Sequence, residues 1–182
     1  MAVKPILLLG NPKLYEISQS VYQTELQDMH GIVSDLQDTL MDFRKRHGTG
    51  RAIAAPQIGV MKRVIYMNVD NRSIVFINPE LKAKSKEMIE VWDDCLCFPD
   101  LIVRVMRHSS CRICFMNLDW SEESMKLEGD LSELLQHEYD HLEGILAVSR
   151  AIDGKSFAFR SERDLLGIVK PGTGAEAKSQ MF

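Results

Sequence analysis

Two histidines four residues apart, His137 and His141, form with the adjacent Glu138 the segment of this chain best suited to chemistry. An α-helix turns once in about 3.6 residues, so the two imidazoles lie on one face, separated by roughly 6 Å along the axis. Imidazoles placed in this way can bind one divalent metal ion. Glu138 lies about 100° further round the helix, where a general base belongs. The segment therefore predicts a catalytic metal helix.

The same pattern also arises by chance on amphipathic helices, so a third protein ligand is needed to define a catalytic site. A metzincin site is excluded, because Ala147 stands where the last histidine of that class belongs. Glu162 could serve as it would in a thermolysin-like site, although its charged neighbours are more typical of a solvated helix or turn. Cys95 is the other candidate, since one thiolate with two imidazoles is a known catalytic set. The residues alone leave both candidates open.

Three short motifs, in this order along the chain, resemble those of the peptide deformylases. Residues 50–57 (GRAIAAPQ) resemble the Gly-x-Gly-Leu-Ala-Ala-x-Gln segment of that family, and residues 93–97 (DDCLC) resemble its Glu-Gly-Cys-Leu-Ser segment. Residues 136–141 (QHEYDH) match its Gln-His-Glu-x-Asp-His segment in full. Weaker similarity extends from about residue 6 to residue 149. Three motifs in order are a far more specific signal than one.

The resemblance implies a role for particular residues of each motif. Cys95 would complete the metal site with His137 and His141, and Glu138 would be the general acid and base. The side-chain amide of Gln57 and the backbone N–H of Leu96 would stabilise the oxyanion. Five further residues would contact the substrate: Gly50, Arg51, Ala52, Asp94 and Leu134.

The resemblance also implies an activity, a cofactor and a setting. The activity would be metal-dependent hydrolysis of the N-formyl group from the N-terminal methionine of newly made peptides, releasing formate. The metal would be Fe²⁺, with Zn²⁺ or Ni²⁺ able to replace it. The protein would act as a monomer on nascent peptides, at the ribosome or near it. Two alternatives stay open: a related hydrolase of a different formyl or acyl amide, and a metal-binding relative without turnover.

Four residues depart from the family motifs without touching the expected metal ligands. Ala52 replaces a glycine and adds a methyl group where a peptide backbone would approach. Asp93 replaces glutamate, Asp94 replaces glycine, and Cys97 replaces serine. Arg107 matches a family arginine that pairs with the acidic residue at position 93, although it could equally be a plain surface residue of a strand. The hydrolytic groups are thus intact, and the departures concern substrate choice.

Composition indicates a single globular domain. The chain has 182 residues, of which 45% are hydrophobic and 26% charged, and its formal net charge of −4 argues against a nucleic-acid-binding face. We expect one domain over residues 1–170 and a flexible tail at 171–182. The apolar run at residues 6–9 is too short for a leader or a membrane span, so we expect a cytoplasmic protein. Cys111 and Cys114 fall on opposite faces of a predicted strand, which favours core residues over a structural zinc site.

Hydrophobic periodicity predicts an α+β domain. Apolar residues at spacings of three and four predict an N-terminal amphipathic helix over residues 25–46. Strands are predicted at residues 63–69, 73–78, 86–92, 101–107, 110–116 and 125–127, with a turn at 121–124. The metal helix follows, with Asp130 and Glu133 as its capping box. We therefore expect short antiparallel strands packed around a central metal-binding helix.

Overall fold

The computed structural model describes residues 2–70 and 72–167, so the tail expected at 171–182 lies outside the described residues. Within these ranges the chain forms two α-helices, α1 (Leu26–His47) and α2 (Gly129–Leu142). The strands are β1 (Ala52–Ala54), β2 (Val64–Val69), β3 (Arg72–Lys82), β4 (Met88–Asp94), β5 (Leu101–His108), β6 (Ser110–Met116), β7 (Glu122–Glu128) and β8 (Phe157–Phe159). None of the helices in these ranges combines the length and the apolar character that crossing a bilayer requires.

The strands form two antiparallel sheets around the second helix. The larger sheet has five strands in the order β1-β2-β3-β6-β7, and the smaller has three in the order β4-β5-β8. Every strand pairing within the sheets is antiparallel. Helix α2 contacts strands of both sheets. The predicted α+β class, with strands packed around the metal helix, is therefore confirmed.

Strand β2 shows how the larger sheet is covered on both faces. Val64 and Tyr66 are buried in the cluster that contains the apolar residues of α1. Ile65 and Met67, which alternate with them, are buried in the cluster that contains Leu135 and Leu142 of α2. Successive side chains of a strand point to opposite faces. The sheet therefore lies between the two helices and gives α2 an apolar surface to pack against.

The first helix follows its predicted pattern closely. Its buried apolar residues are Met29, Val33, Leu36, Leu40 and Phe43. The helix ends at Gly48, which adopts a left-handed conformation with φ of 68° and donates its N–H to the backbone oxygen of Arg44. The prediction of residues 25–46 is confirmed to within about a residue at each end.

Two predicted local features are wrong, each for a local reason. The turn expected at residues 121–124 lies earlier, because the side chain of Asn117 accepts the N–H groups of Asp119 and Ser121, and β7 already begins at Glu122. The capping box is absent, because α2 begins at Gly129 and Asp130 lies inside its first turn. Glu133 forms an ion pair elsewhere.

Gly144, just beyond α2, provides a test of how the metal helix is held. Its φ is 68°, and a Cβ at this position would lie 2.5 Å from the backbone oxygen of Tyr15. We expect Gly144→Ala to lower the free energy of unfolding by about 2–4 kcal/mol, through backbone strain and overlap together. Urea denaturation measures this loss. Gly154→Ala, where a Cβ meets no atom within 4 Å, is the control and should change little; an equal loss in both variants would contradict the explanation.

Candidate active site

Three potential metal ligands from two separate parts of the chain meet in the interior. His137 and His141 lie on α2, and Cys95 lies in the turn that follows β4. The Nε2 atoms of the two histidines are 3.2 Å apart, and the Sγ atom of Cys95 is 3.2 Å from Nε2 of His141. All three ligand atoms lie within 4.8 Å of one another, and all three side chains are buried. The cluster includes Cys95, whereas Glu162 lies exposed in the short 3₁₀ helix Arg160–Leu166.

The spacing of these atoms fits one tetrahedral ion. Two nitrogen ligands at about 2.05 Å from a tetrahedral metal stand roughly 3.3 Å apart, and a sulfur ligand at about 2.3 Å stands roughly 3.5 Å from each nitrogen. The observed separations of 3.2 Å approach these values. Burial and the neighbouring His137 hold the pKa of His141 well below its ordinary value, which favours the neutral imidazole that a metal needs. The donor set therefore suits a divalent metal with one coordination position left open.

Two buried charged residues, Asp93 and Arg107, lie behind the ring of His137. Its Nδ1 atom lies 2.8 Å from the carboxylate of Asp93, and Arg107 donates to the other oxygen of the same carboxylate at 2.7 Å. Burial opposes ionisation of Asp93, but the nearby His137 and Arg107 outweigh it and hold its pKa below the ordinary value. Arg107 also donates to Asp140 of α2, which in turn accepts from Arg150. Arg107 is therefore a buried partner of Asp93, not a plain surface residue of its strand.

Gln57 is held with its amide group facing the cluster. It is fully buried in the 3₁₀ helix Ala55–Ile58, and its side-chain oxygen accepts the N–H of Ala54 at 2.7 Å. Its Nε2 atom lies 3.6 Å from Sγ of Cys95 and 3.5 Å from Sγ of Cys97. The anchored oxygen leaves the NH₂ group as the part that faces the three ligands. An N–H donor is thereby directed at the thiol of Cys95 in the ligand cluster.

Glu138 stands beside the cluster as a buried carboxylate. Burial raises its pKa to about 7. Its Oε2 atom makes no hydrogen bond to the residues that the structure describes. A carboxylate with this pKa and a free oxygen can accept and return a proton near neutral pH.

A pocket opens beside the cluster and brings the predicted substrate-contacting residues together. All five substrate-contacting residues expected from the sequence line this pocket, and so do Leu96 and Glu138. The complete lining is Phe43, Thr49, Gly50, Arg51, Ala52, Asp93, Asp94, Cys95, Leu96, Glu133, Leu134, His137, Glu138 and Arg160. Sequence reasoning did not assign Glu133 or Arg160 to it. Glu133 precedes His137 by four residues, so its place on the same helix face was a usable signal. Arg160 carries no such signal, because its partner Asp94 lies far away in sequence.

The chain is similar to known proteins over most of its length. Residues 3–156 match the model of the family described as polypeptide deformylase. The chain belongs to that family. Peptide deformylase 1 of Prochlorococcus marinus is 35% identical over 190 residues, covering 98% of this chain and 96% of the relative.

Solved structures of the family show the same fold. A peptide deformylase of Thermotoga maritima superposes with a TM-score of 0.76 at 27% identity, covering 84% of this chain and 100% of the other. A class I type b peptide deformylase of Acinetobacter baumannii, bound to Met-Ala-Ser, superposes with a TM-score of 0.76 at 28% identity, covering 82% of this chain and 98% of the other. The resemblance inferred from three motifs is confirmed.

Loss of one ligand tests the composition of the metal centre. We expect Cys95→Ala to weaken divalent metal binding by more than the roughly 10–100-fold that loss of an outer partner costs. Metal content per chain after dialysis, measured by elemental analysis, gives the result. Glu162→Gln should keep its full metal content. Full metal in the cysteine variant together with loss in the glutamine variant would assign the third ligand to Glu162.

Removal of Arg107 tests the buried charges behind His137. Arg107→Leu leaves Asp93 and Asp140 buried without their shared cation, so we expect a loss of about 3–5 kcal/mol in the free energy of unfolding. Arg104→Leu, on the same strand but paired with more exposed acids, should cost only about 0–1 kcal/mol. Urea denaturation of both variants in the same metal state makes the comparison. Similar losses would show that the arginine stem, rather than its charge, matters.

Proposed function

We propose that this protein removes the N-formyl group from the N-terminus of newly made peptides by hydrolysis, releasing formate and a free amine. It is a metal-dependent hydrolase of the polypeptide deformylase family. The observation that carries the assignment is the buried carboxylate of Glu138, with an unpartnered oxygen among the described residues, beside three potential metal ligands. A purely structural metal site has no use for such a carboxylate.

A divalent metal would be held by Cys95, His137 and His141. When bound, it lowers the pKa of water toward roughly 7 and polarises carbonyl groups. We assign Fe²⁺ as the natural ion because the family resemblance implies it, with Zn²⁺ or Ni²⁺ able to replace it; a thiolate and two imidazoles suit all three metals.

Side chains and one backbone N–H of this protein carry out the proton transfers and stabilise the oxyanion. Glu138 accepts a proton from the attacking water while the water oxygen bonds to the formyl carbon. Gln57 and the backbone N–H of Leu96 donate to the oxyanion that forms on the formyl oxygen. Glu138 then gives its proton to the departing nitrogen as the carbon–nitrogen bond breaks. Its pKa of about 7 suits both proton transfers.

The setting that we assign follows from the substrate and from the site. Formylated peptides exist where protein synthesis begins, so the proposal places this activity in the cytoplasm, on nascent chains at the ribosome or near it. We assign a monomer because the family resemblance implies it, and the three candidate ligands do come from one chain.

Glu138→Gln tests the proposed proton transfers. The amide keeps the shape of the side chain but cannot accept a proton, so we expect formate release to fall by on the order of 10²–10⁴-fold while metal content stays unchanged. Formate release from formyl-Met-Ala-Ser by protein purified without oxygen and loaded with Fe²⁺ or Ni²⁺ provides the measurement. Glu143→Gln, which alters a carboxylate paired with Arg63 beyond the end of the same helix, should retain activity. Normal turnover in the Glu138 variant would exclude the proposed mechanism.

A further inference from the structure

An ion pair forms one wall of the pocket beside the candidate metal centre. The Arg51 guanidinium donates to the carboxylate of Glu133 at 2.9 Å, and both side chains line the pocket. The side chains are 30% and 14% exposed, so the pair is partly withdrawn from solvent. A second pair, between Arg160 and Asp94 at 2.9 Å, lines the same pocket.

The first pair lies next to the reacting groups. Glu133 is one helical turn before His137, on the same face of α2. Arg51 directly precedes β1, whose first residue, Ala52, also lines the pocket. Because Cys95 and His137 line the same pocket, a peptide whose formyl group reaches these ligands has its first residue within or directly beside it.

Apolar side chains form part of the remaining walls, beside the second ion pair. Phe43, Leu96 and Leu134 contribute them, and all three are largely buried. Such walls favour the methylene groups of an unbranched side chain. The ion pair offers something different, because a guanidinium carries five N–H donors and a carboxylate can accept several hydrogen bonds. A substrate side chain with an apolar stem and a polar end could therefore contact apolar groups with its stem and hydrogen-bonding groups with its end.

We propose that the Arg51–Glu133 pair makes this pocket accept formylated peptides whose first side chain is unbranched and ends in an uncharged hydrogen-bonding group, alongside methionine. Glutamine and methionine sulfoxide have this chemistry, and norleucine is the apolar reference. The inference rests on the proposed function, since it names the substrate class of the same site. A site that holds hydrogen-bonding partners discriminates in favour of ligands that use them.

The test compares the wild type with Arg51→Met/Glu133→Leu, in which the wall becomes apolar and no charge is left unpaired. Steady-state kcat/KM is measured for formyl-Gln-Ala-Ser, formyl-Met(sulfoxide)-Ala-Ser and formyl-norleucine-Ala-Ser. In the wild type we expect the glutamine and norleucine peptides to differ by less than about tenfold. In the double variant the preference for norleucine should rise by about tenfold or more, the effect of about one hydrogen bond.

Two controls separate selectivity from general damage. Lys62→Met/Glu25→Leu removes an ion pair of similar exposure elsewhere and should leave the preference unchanged. The single variant Glu133→Leu frees the Arg51 guanidinium, so formyl-Glu-Ala-Ser should become a better substrate by about tenfold. A merely structural role of the pair would not produce this gain.

Binding of the deformylated products separates failure of this inference from failure of the proposed function. Calorimetry of Gln-Ala-Ser and norleucine-Ala-Ser needs no turnover, and their ratio of Kd values should change between wild type and double variant as the kinetic ratio does. Absence of formate release together with a shifted Kd ratio would overturn the proposed function while supporting the selectivity. An unchanged ratio in both measurements, or an unchanged glutamate peptide in the single variant, would overturn the selectivity.

Discussion

The buried carboxylate of Asp93 is the constraint on which the arrangement of the candidate site depends. It lies at the end of β4, 2.8 Å from the Nδ1 atom of His137 on α2, and it also accepts from Arg107 of β5. An isolated charge at this depth would be strongly unfavourable, so the three elements must meet for any of these groups to be buried. Cys95 follows Asp93 by two residues. When Asp93 is paired with His137 and Arg107, the thiol of Cys95 is therefore also placed beside the two imidazoles.

Arg107, which pairs with Asp93, also contacts the metal helix further along its length. Arg107 bridges Asp93 of the smaller sheet and Asp140 of α2, and Asp140 is bound from outside by Arg150. Replacement of a whole buried ionic network by apolar residues is often neutral or stabilising, whereas removal of a single member is costly. The consequence of these charges is geometric, because Arg107 donates through one nitrogen to Asp93 and through the other to Asp140. These two contacts hold the end of β4 close to α2.

Features encoded by local residues were predictable from their spacing, whereas contacts between distant residues were predictable only through the family resemblance, as for Cys95 with the two histidines, or not at all. The spacing of His137 and His141, the apolar stripe of α1 and the β2–β3 hairpin are local, and the structure has all three. Strands β1 and β8 span three residues each, too few to show alternation. Glu133 was interpreted within its own helix, whereas its partner lies 82 residues earlier. Only the folded chain brings these two charges together.

The site thus combines parts that tolerate change very differently. Asp93, Gln57 and the three candidate ligands are buried, and each touches another of them or a group that orients one, so altering any of these residues disturbs the others. Arg51 and Glu133 contact each other at the pocket wall and are partly exposed. Under the proposed selectivity, a change confined to that pair would alter which side chain fits, because neither residue is one of the three candidate ligands. Ala52 and Asp94 likewise line the pocket without belonging to the ligand cluster, so their departures from the family motif leave the three candidate ligands in place.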